Sequence, residues 1–495
     1  MLRAARRRLR NLLFAFPALL ARLGLLDREK GEEAFDLAVP AMVTGGLRTL
    51  LRTADFFMVS VASGGAAVAA LELGFQYYFI PFGLALALTS GTISVVSRLK
   101  GAESHREADF AIKQSLWLAI LLSVPITVAT WAYADPMVGL LTDDAATIRK
   151  GATYLRIVML SVGFRFWSMI AARALAGAGD TRTPMYVRLV TLPTNIVLNA
   201  VLVFGLLGFP PLGVAGAAWG TAIANALAGV VFFGVLLSGR WSVALHLGGK
   251  QWDTSVAAEI TRVALPLAGT RLSRTFGRFP FLFVLGLLGT DVIAAYAIGR
   301  RVMLLALMPA WGYSTAASTL VGQHVGADET AEAADYGWQT LRIALVTQLL
   351  IAAGIFVAAH PIAAAFGTQY PDLTVSFIRV FGLGVAGFSV SRTMRGALRG
   401  AGDTRWPFYG GLLATYVARL PVAFLAPTAT ALTLGPYAVA GLAVPAVTVG
   451  FGLGLGLPAI FVAILADMYT RALVNLVRFR SGAWKAFGTP PESTT

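Results

Sequence analysis

The chain has 495 residues, 57% of them hydrophobic and only 13% charged, with a mean hydropathy of +0.71 and a net charge of +15. A soluble domain carries about 25% charged residues, so a water-soluble globular body is excluded. With no cysteine, disulfides, thiol chemistry and thiolate metal sites are excluded as well.

The chain opens with Arg3, Arg6, Arg7, Arg8 and Arg10 followed by an apolar run from Leu12 to Phe16, which reads as an amphipathic helix on an anionic leaflet. No small-residue cleavage site follows, and the polar run Asp27 to Glu33 precedes the first span, so the head is expected to be retained and not cleaved. A membrane helix needs about 20 mostly apolar residues. Twelve stretches qualify: 34–62, 66–97, 108–133, 149–176, 185–207, 213–238, 258–289, 292–322, 336–366, 373–398, 407–432 and 437–470. The alternating decamers of a membrane barrel are absent. A polar connector at 239–257, with Arg240, His246, Lys250 and Asp253, separates an N-lobe (34–238) from a C-lobe (258–471), flanked by the 1–33 head and a 472–495 tail.

Loop charge sets the orientation, because lysine and arginine stay on the cytoplasmic side. Arg98, Lys100 and Arg106, then Arg182, Arg240, Lys250, Arg399 and Arg405, fall in loops on the same side as both termini. A multi-pass protein of the cell membrane with both termini in the cytoplasm is expected. One inside loop, 324–335, is an exception: it holds Asp328, Glu329, Glu332 and Asp335 without a basic residue.

The halves are related. Ala174–Tyr186 returns 223 residues later as Ala397–Tyr409, with ten of thirteen positions identical. Pro211-Leu-Gly-Val-Ala-Gly216 returns as Pro436-Tyr-Ala-Val-Ala-Gly441, and 68–74 returns more loosely as 293–299. Six spans per repeat is an even number, so both halves share one orientation. The expected fold is an all-α membrane protein with twelve transmembrane helices, in two six-helix lobes related by a pseudo-two-fold axis along the membrane normal. In the repeated Gly-x-Gly-Asp-Thr-Arg-x-Pro turn, glycine supplies the helix-ending geometry and proline opens the next helix. Asp180 and Asp403 are expected to cap that helix, with Arg182 and Arg405 facing the inner surface.

Thr53-Ala-Asp-Phe-Phe-Met-Val59, Leu175-Ala-Gly-Ala-Gly-Asp-Thr-Arg-Thr-Pro184, Asn195-Ile-Val-Leu-Asn199 and Leu212-Gly-Val-Ala-Gly-Ala-Ala-Trp-Gly-Thr221, in this order and spacing, resemble the multidrug and toxic compound extrusion (MATE) family over about residues 34–470. The resemblance implies two six-helix lobes, a central cavity, and antiport of an exported organic solute against Na⁺ or H⁺. By position, Asp55 matches the acidic residue of span one, Asn195 and Asn199 the polar pair of span five, and Thr221 a hydroxyl of span six. One carboxylate with amide and hydroxyl oxygens chelates Na⁺, which makes Asp55 the candidate metal ligand, and the same carboxylate exchanges a proton. An intramembrane carboxylate is costly unless it is paired or functional. The alternative reading is that the asparagines and threonine only bond neighbouring helices. The sodium-coupled branch of the family uses second-lobe acids where this chain has Arg274 and Phe388, so a carboxylate cation site is not expected there.

The spans themselves are rich in arginine. Arg48, Arg52 and Asp55 form one stripe on span one, and Arg271, Arg274 and Arg278 repeat it on span seven. Glu72 is the other acid well inside a span, with Asp467 near the end of the last. Arg173, Arg188, Arg395 and Arg419 read as anchors at cytoplasmic helix ends. The alternative roles for the stripes are mutual pairing with Asp55 and Glu72, or a lining of Arg48, Arg52, Glu72, Arg271, Arg274 and Arg278 facing across a cavity. A cavity with more guanidiniums than carboxylates repels cations and attracts carboxylates and phosphates.

The four histidines have no ligand spacing, no phosphate-binding loop is present, and no catalytic triad or carboxylate pair points to an enzyme. The reading is a secondary antiporter, expected as a monomer among membrane lipids, exporting a small organic solute with an anionic preference. It needs no cofactor beyond Na⁺ or H⁺ as coupling ion and no nucleic acid. The alternative is a flippase for a lipid-linked or phosphate-bearing lipid.

Overall fold

A computed structural model describes residues 14–139, 144–428, 430–434, 437–439, 442–444 and 447–487, with side chains except at 48–50, 52–57, 59–76, 78–80, 271, 275, 290 and 430–449. Helix α1 (14–22) leads into α2 (Arg28–Gly101), α3 (His105–Gly139), α4 (Ala145–Leu160), α5 (Val162–Gly177), α6 (Arg182–Phe204) and α7 (Gly213–Leu237). The second half comprises α8 (Thr254–Leu288), α9 (Thr290–Ala306), α10 (Met308–Gly326), α11 (Thr330–Val357), α12 (Ala359–Ala365) and α13 (Pro371–Gly400). Then come α14 (Arg405–Leu412), a π-helical stretch Leu413–Arg419, α15 (Leu420–Phe424) and α16 (Gly456–Arg480). Among the described residues seven helices are long and apolar enough to cross a membrane, or nine when the bent pairs α4–α5 (47°) and α9–α10 (44°) count as one span each.

Expected spans one and two both fall within α2. That helix is not straight. A Cβ on Gly312 would lie 2.6 Å from the Ala38 carbonyl, and one on Gly322 would lie 2.0 Å from Ser97 Oγ. Ten residues of α10 cover about 15 Å, whereas a straight helix from residue 38 to 97 would cover about 90 Å. The chain of α2 therefore doubles back, and its two arms serve as the two spans.

Each half has its own apolar core. Leu155, Phe166, Ile170, Leu175 and Phe232 anchor the first, from α4, α5 and α7. Phe281, Leu285, Phe377, Phe381 and Ile460 anchor the second, from α8, α13 and α16. The repeated turn folds the same way twice. Gly179 and Gly402 both adopt φ +91°, and the amides of Asp180 and Asp403 bond back to the carbonyls of Leu175 and Leu398 at 2.8 Å each. Glycine takes this left-handed conformation without steric cost, so one sequence gives one turn in both places.

One expectation is corrected here. Span twelve does not begin at 437: residues Thr430–Leu434 pair antiparallel with Val447–Phe451, and Tyr437–Val439 with Leu442–Val444, so helix resumes only at Gly456. Span eleven correspondingly ends at Phe424. The stretch is apolar enough for a span, but its threonines, valines, prolines and alternating glycines favour extended strands and turns over helix. The second copy of the Pro-x-x-Val-Ala-Gly segment therefore does not open a helix as Gly213 does in the first. Apart from these short strands the described residues are all-α, and the fold is that of two six-helix lobes.

The basic run Arg3–Arg10, expected on the anionic leaflet, lies outside the described residues. The head helix α1 packs on the second half, with Leu20 and Leu26 buried beside Tyr313, Leu320 and Ile343. Lys30 Nζ reaches Glu332 and Asp335 at 2.5 Å each, so the acidic loop that broke the charge pattern takes its counter-charge from the head. The two carboxylates hold the Lys30 ammonium well above the usual lysine range. The connector docks on α3, where Lys113 Nζ donates to the Gly248 carbonyl at 2.7 Å and the Ala244 amide to Asp109 at 2.9 Å.

Candidate functional site

The lobes are sealed against each other at the end that carries both repeated turns. The ends of α2 and α10 cross with no room to spare: a Cβ on Gly101 would lie 1.6 Å from the Gln323 carbonyl, and one on Gly326 would lie 1.8 Å from that of Arg98. Positions 98 and 323, like 101 and 326, are equivalent by the duplication, so the crossing is a two-fold contact made by one chain. Thr319 Oγ1 donates to the Ala176 carbonyl at 2.7 Å, and Ser94 Oγ, its counterpart, to Gly400 at 3.5 Å. Ser94, Ser97 and Thr319 are all fully buried. Arg98 closes the seam electrostatically, with Nη2 2.6 Å from Glu259 of α8 and Nη1 bonded to the Phe487 carbonyl of the tail. The tail is pinned by Trp484, fully buried and stacked on Phe479 at 5.0 Å.

Above this seal, inside the second lobe, five elements enclose a cavity of about 120 Å³. Arg274 comes from α8, Tyr296 and Arg300 from α9, Phe388 from α13, Arg419 from the π-helical stretch, and Asp467 and Arg471 from α16. Four guanidiniums thus face one carboxylate. Arg471 grips Asp467 with Nη2 at 2.8 Å and Nε at 3.1 Å, and also donates to Thr415 Oγ1 at 2.7 Å. Arg300 and Arg419 form no ion pair among the described residues. Arg419 instead stands 3.7 Å above the Phe281 ring, an attraction of about 0.5–2 kcal/mol, and donates to Tyr296 Oη at 3.4 Å. Its Nε is buried without a partner. Just outside, Arg278 is close enough to Arg300 and Arg419 to repel both.

Of the residues singled out from sequence, Arg274 lines this cavity and Arg278 borders it. The side chains of Arg48, Arg52, Asp55, Glu72 and Arg271 lie outside the described residues. Asn195 and Asn199 are both buried and joined, Asn199 Nδ2 to Asn195 Oδ1 at 3.3 Å, and Asn195 Nδ2 bonds the Gly220 carbonyl of α7 at 3.4 Å. Thr221 follows that glycine on α7 and is half-buried.

Three of the expected helix-end anchors are not anchors. Arg419 lines the cavity. Arg188 is buried inside the first lobe, bonded to Ser168 Oγ at 3.1 Å over the ring of Phe232. Arg173 crosses the seam to Thr315 Oγ1 at 3.0 Å. Among the capping aspartates, Asp180 accepts from the Thr183 amide at 2.9 Å as expected. Asp403 does not cap, because Arg478 Nε takes its Oδ2 at 2.6 Å. Arg300, Arg471 and Asp467 carried no sequence signal of convergence except the i, i+4 spacing of Asp467 and Arg471, which puts both on one helix face.

Two homologous helical lobes sealed at one end, the second holding a charged cavity among membrane-length helices, define a polytopic membrane transporter. The chain belongs to the MatE family, whose model matches residues 40–201 and 266–425, one copy in each lobe. It is 28% identical to the probable multidrug resistance protein NorM of Thermotoga maritima, an alignment covering 92% of this chain and 93% of that one. Among solved structures it is similar to an outward-facing multidrug resistance MATE family transporter of the MOP superfamily, with a TM-score of 0.80, 21% identity and coverage of 92% and 96%. A MOP superfamily transporter from Pyrococcus furiosus, whose binding pocket is described as reversed in polarity and suggestive of a different function, matches with a TM-score of 0.80, 20% identity and coverage of 93% and 97%.

Proposed function

We propose that this transporter is a secondary active multidrug-type antiporter of the cell membrane, with both termini and the sealed seam on the cytoplasmic side, exporting a small organic anion. The carrying observation is the second-lobe cavity, where Arg274, Arg300, Arg419 and Arg471 face the single carboxylate of Asp467. Guanidiniums in a site shielded from water attract carboxylates, sulfonates and phosphates and repel organic cations. The aromatic wall of Tyr296, Phe381 and Phe388 suits the flat apolar body of such a solute. The cavity's volume favours a small anionic group over the bulk of a lipid-linked glycan.

Coupling is assigned to the first lobe. Asp55, with the buried amides of Asn195 and Asn199 and the hydroxyl of Thr221, would take Na⁺ or a proton from outside. Its release inward would accompany rocker-switch movement of the lobes about the α2–α10 crossing. No cofactor is needed, and a monomer is sufficient. The test is transport by purified chain in proteoliposomes under imposed pH or sodium gradients, comparing a sulfonated dye with a cationic dye. Gradient-driven export of the sulfonate, lost in Asp55→Asn, supports the reading. Export of the cationic dye alone overturns the anionic substrate, and full activity of Asp55→Asn overturns the coupling assignment.

A further inference from the structure

We infer that Asp467 is a tethered competitor of the ligand: its carboxylate and the anionic group of the substrate contend for the same guanidinium, Arg471. The inference rests on the cavity being an anion site and concerns how tightly that site is set to hold its ligand.

Arg471 presents two of its donors, Nη2 and Nε, side-on to Asp467 at 2.8 and 3.1 Å. This is the fork that a substrate carboxylate, sulfonate or phosphate would use. The two residues lie one turn apart on the face of α16 that walls the cavity, with only 8% and 17% of their side chains exposed. The other charged groups facing Asp467 are all cationic: Arg274 from α8, Arg300 from α9 and Arg419 from the π-helical stretch, while α13 offers only Phe381, Phe388 and Ser391. Among the described residues no second carboxylate shares the lining. A carboxylate held among four guanidiniums therefore does two things at once. It satisfies Arg471 and lowers the positive potential that would otherwise bind an anion too tightly to release, and a transporter has to release its ligand.

The test is binding of 1-naphthalenesulfonate, an anion whose charge does not vary near neutral pH, to full-length protein in nanodiscs by calorimetry. Asp467→Asn keeps the shape and removes the competitor, so its affinity is expected to rise by about tenfold or more. Asp467→Glu restores the carboxylate and is expected to bind like the wild type. Arg471→Gln is expected to weaken binding, and in the double variant Asp467→Asn with Arg471→Gln most of the gain disappears, because the contested guanidinium is gone. Unchanged or weaker binding by a folded Asp467→Asn overturns the inference, as does an equal gain with and without Arg471. Should Asp467→Asn not fold, electron cryomicroscopy of the wild type with the sulfonate decides it. An Arg471 drawn from Asp467 to the ligand supports competition; an intact pair beside bound ligand overturns it. A wild type that binds tetraphenylphosphonium and no sulfonate overturns the anion reading itself, a result distinct from sulfonate binding that ignores Asp467.

Discussion

Arg98 and Gln323 stand 225 positions apart and do the same work from opposite sides of the seam: each lends its backbone to the crossing glycine of the other half and its side chain to the other half's glycine turn. The Arg98 guanidinium lies 3.5 Å from where a Cβ on Gly402 would be, and Gln323 Nε2 lies 3.5 Å from the same point at Gly179. The closed end is therefore built twice from one plan, which makes it testable in halves.

The crossing glycines set how closely the lobes approach. Gly326→Leu would drive a side chain into the Arg98 carbonyl, an overpacking that costs about 1–3 kcal/mol. The chain has no cysteine, so Ser94→Cys, at a fully buried seam position, is a clean reporter. Maleimide labelling from the cytoplasmic side is expected to be slow in that background and on the order of tenfold faster with Gly326→Leu, as about 1.4 kcal/mol of lost closure would give. Equal rates would show that the crossing does not hold the seam.

The Arg98–Glu259 pair is the seam's ionic component, with side chains 11% and 27% exposed. Hydrogen bonds to charged groups contribute about 1.5–3 kcal/mol. Glu259→Gln keeps one acceptor and removes the charge. It should raise the Ser94→Cys labelling rate by less than Gly326→Leu does, and the increase should shrink in high salt measurements of the wild type against the variant, since part-exposed pairs are screened.

In the cavity, Arg419→Ala leaves the Phe281 face without its cation and removes one of four guanidiniums. Uptake of a sulfonated dye into inverted vesicles is expected to fall by about tenfold, with a cationic dye unaffected or improved. A parallel loss for both dyes would assign Arg419 to packing of the lobe.

Lys30→Ala should loosen the head from the loop it neutralises. Glu332 and Asp335 are both about half in water, so the loss is no more than about 1 kcal/mol. Because the folded protein raises the Lys30 pKa, the ammonium's contribution is complete below the ordinary lysine value and is lost only as pH climbs past the raised one. The difference in Tm between wild type and Lys30→Ala is thus expected to be constant from neutral pH to about pH 10. A difference that decayed near neutrality would point to another group.

The duplication, the lobe division and the repeated turn were legible in the sequence because each depends on local chemistry repeated in order. Gly179 and Gly402 adopt the same φ for the same reason, and the connector docks where its charges allow. The cavity was only partly legible. Arg274 was visible as part of a stripe, but its partners reach it from four other elements, and convergence of distant helices leaves no periodic mark. Arg419 reads in the sequence as a helix-end anchor, yet it closes a wider π turn, which no residue pattern announces, and lines the cavity. Hydropathy alone also hid the strands at 430–451, where apolar content suits a span and only the residue types, β-branched with glycine and proline, argue against helix.

The glycine crossing has the shape of a homodimer contact written into a single polypeptide. A half-length protein could have made both sides of it with one sequence, and fusion then freed each side to diverge. Arginine now stands at position 98 and glutamine at 323, so one half holds the latch by charge and the other by an amide. The two halves of the machine need no longer let go with equal ease.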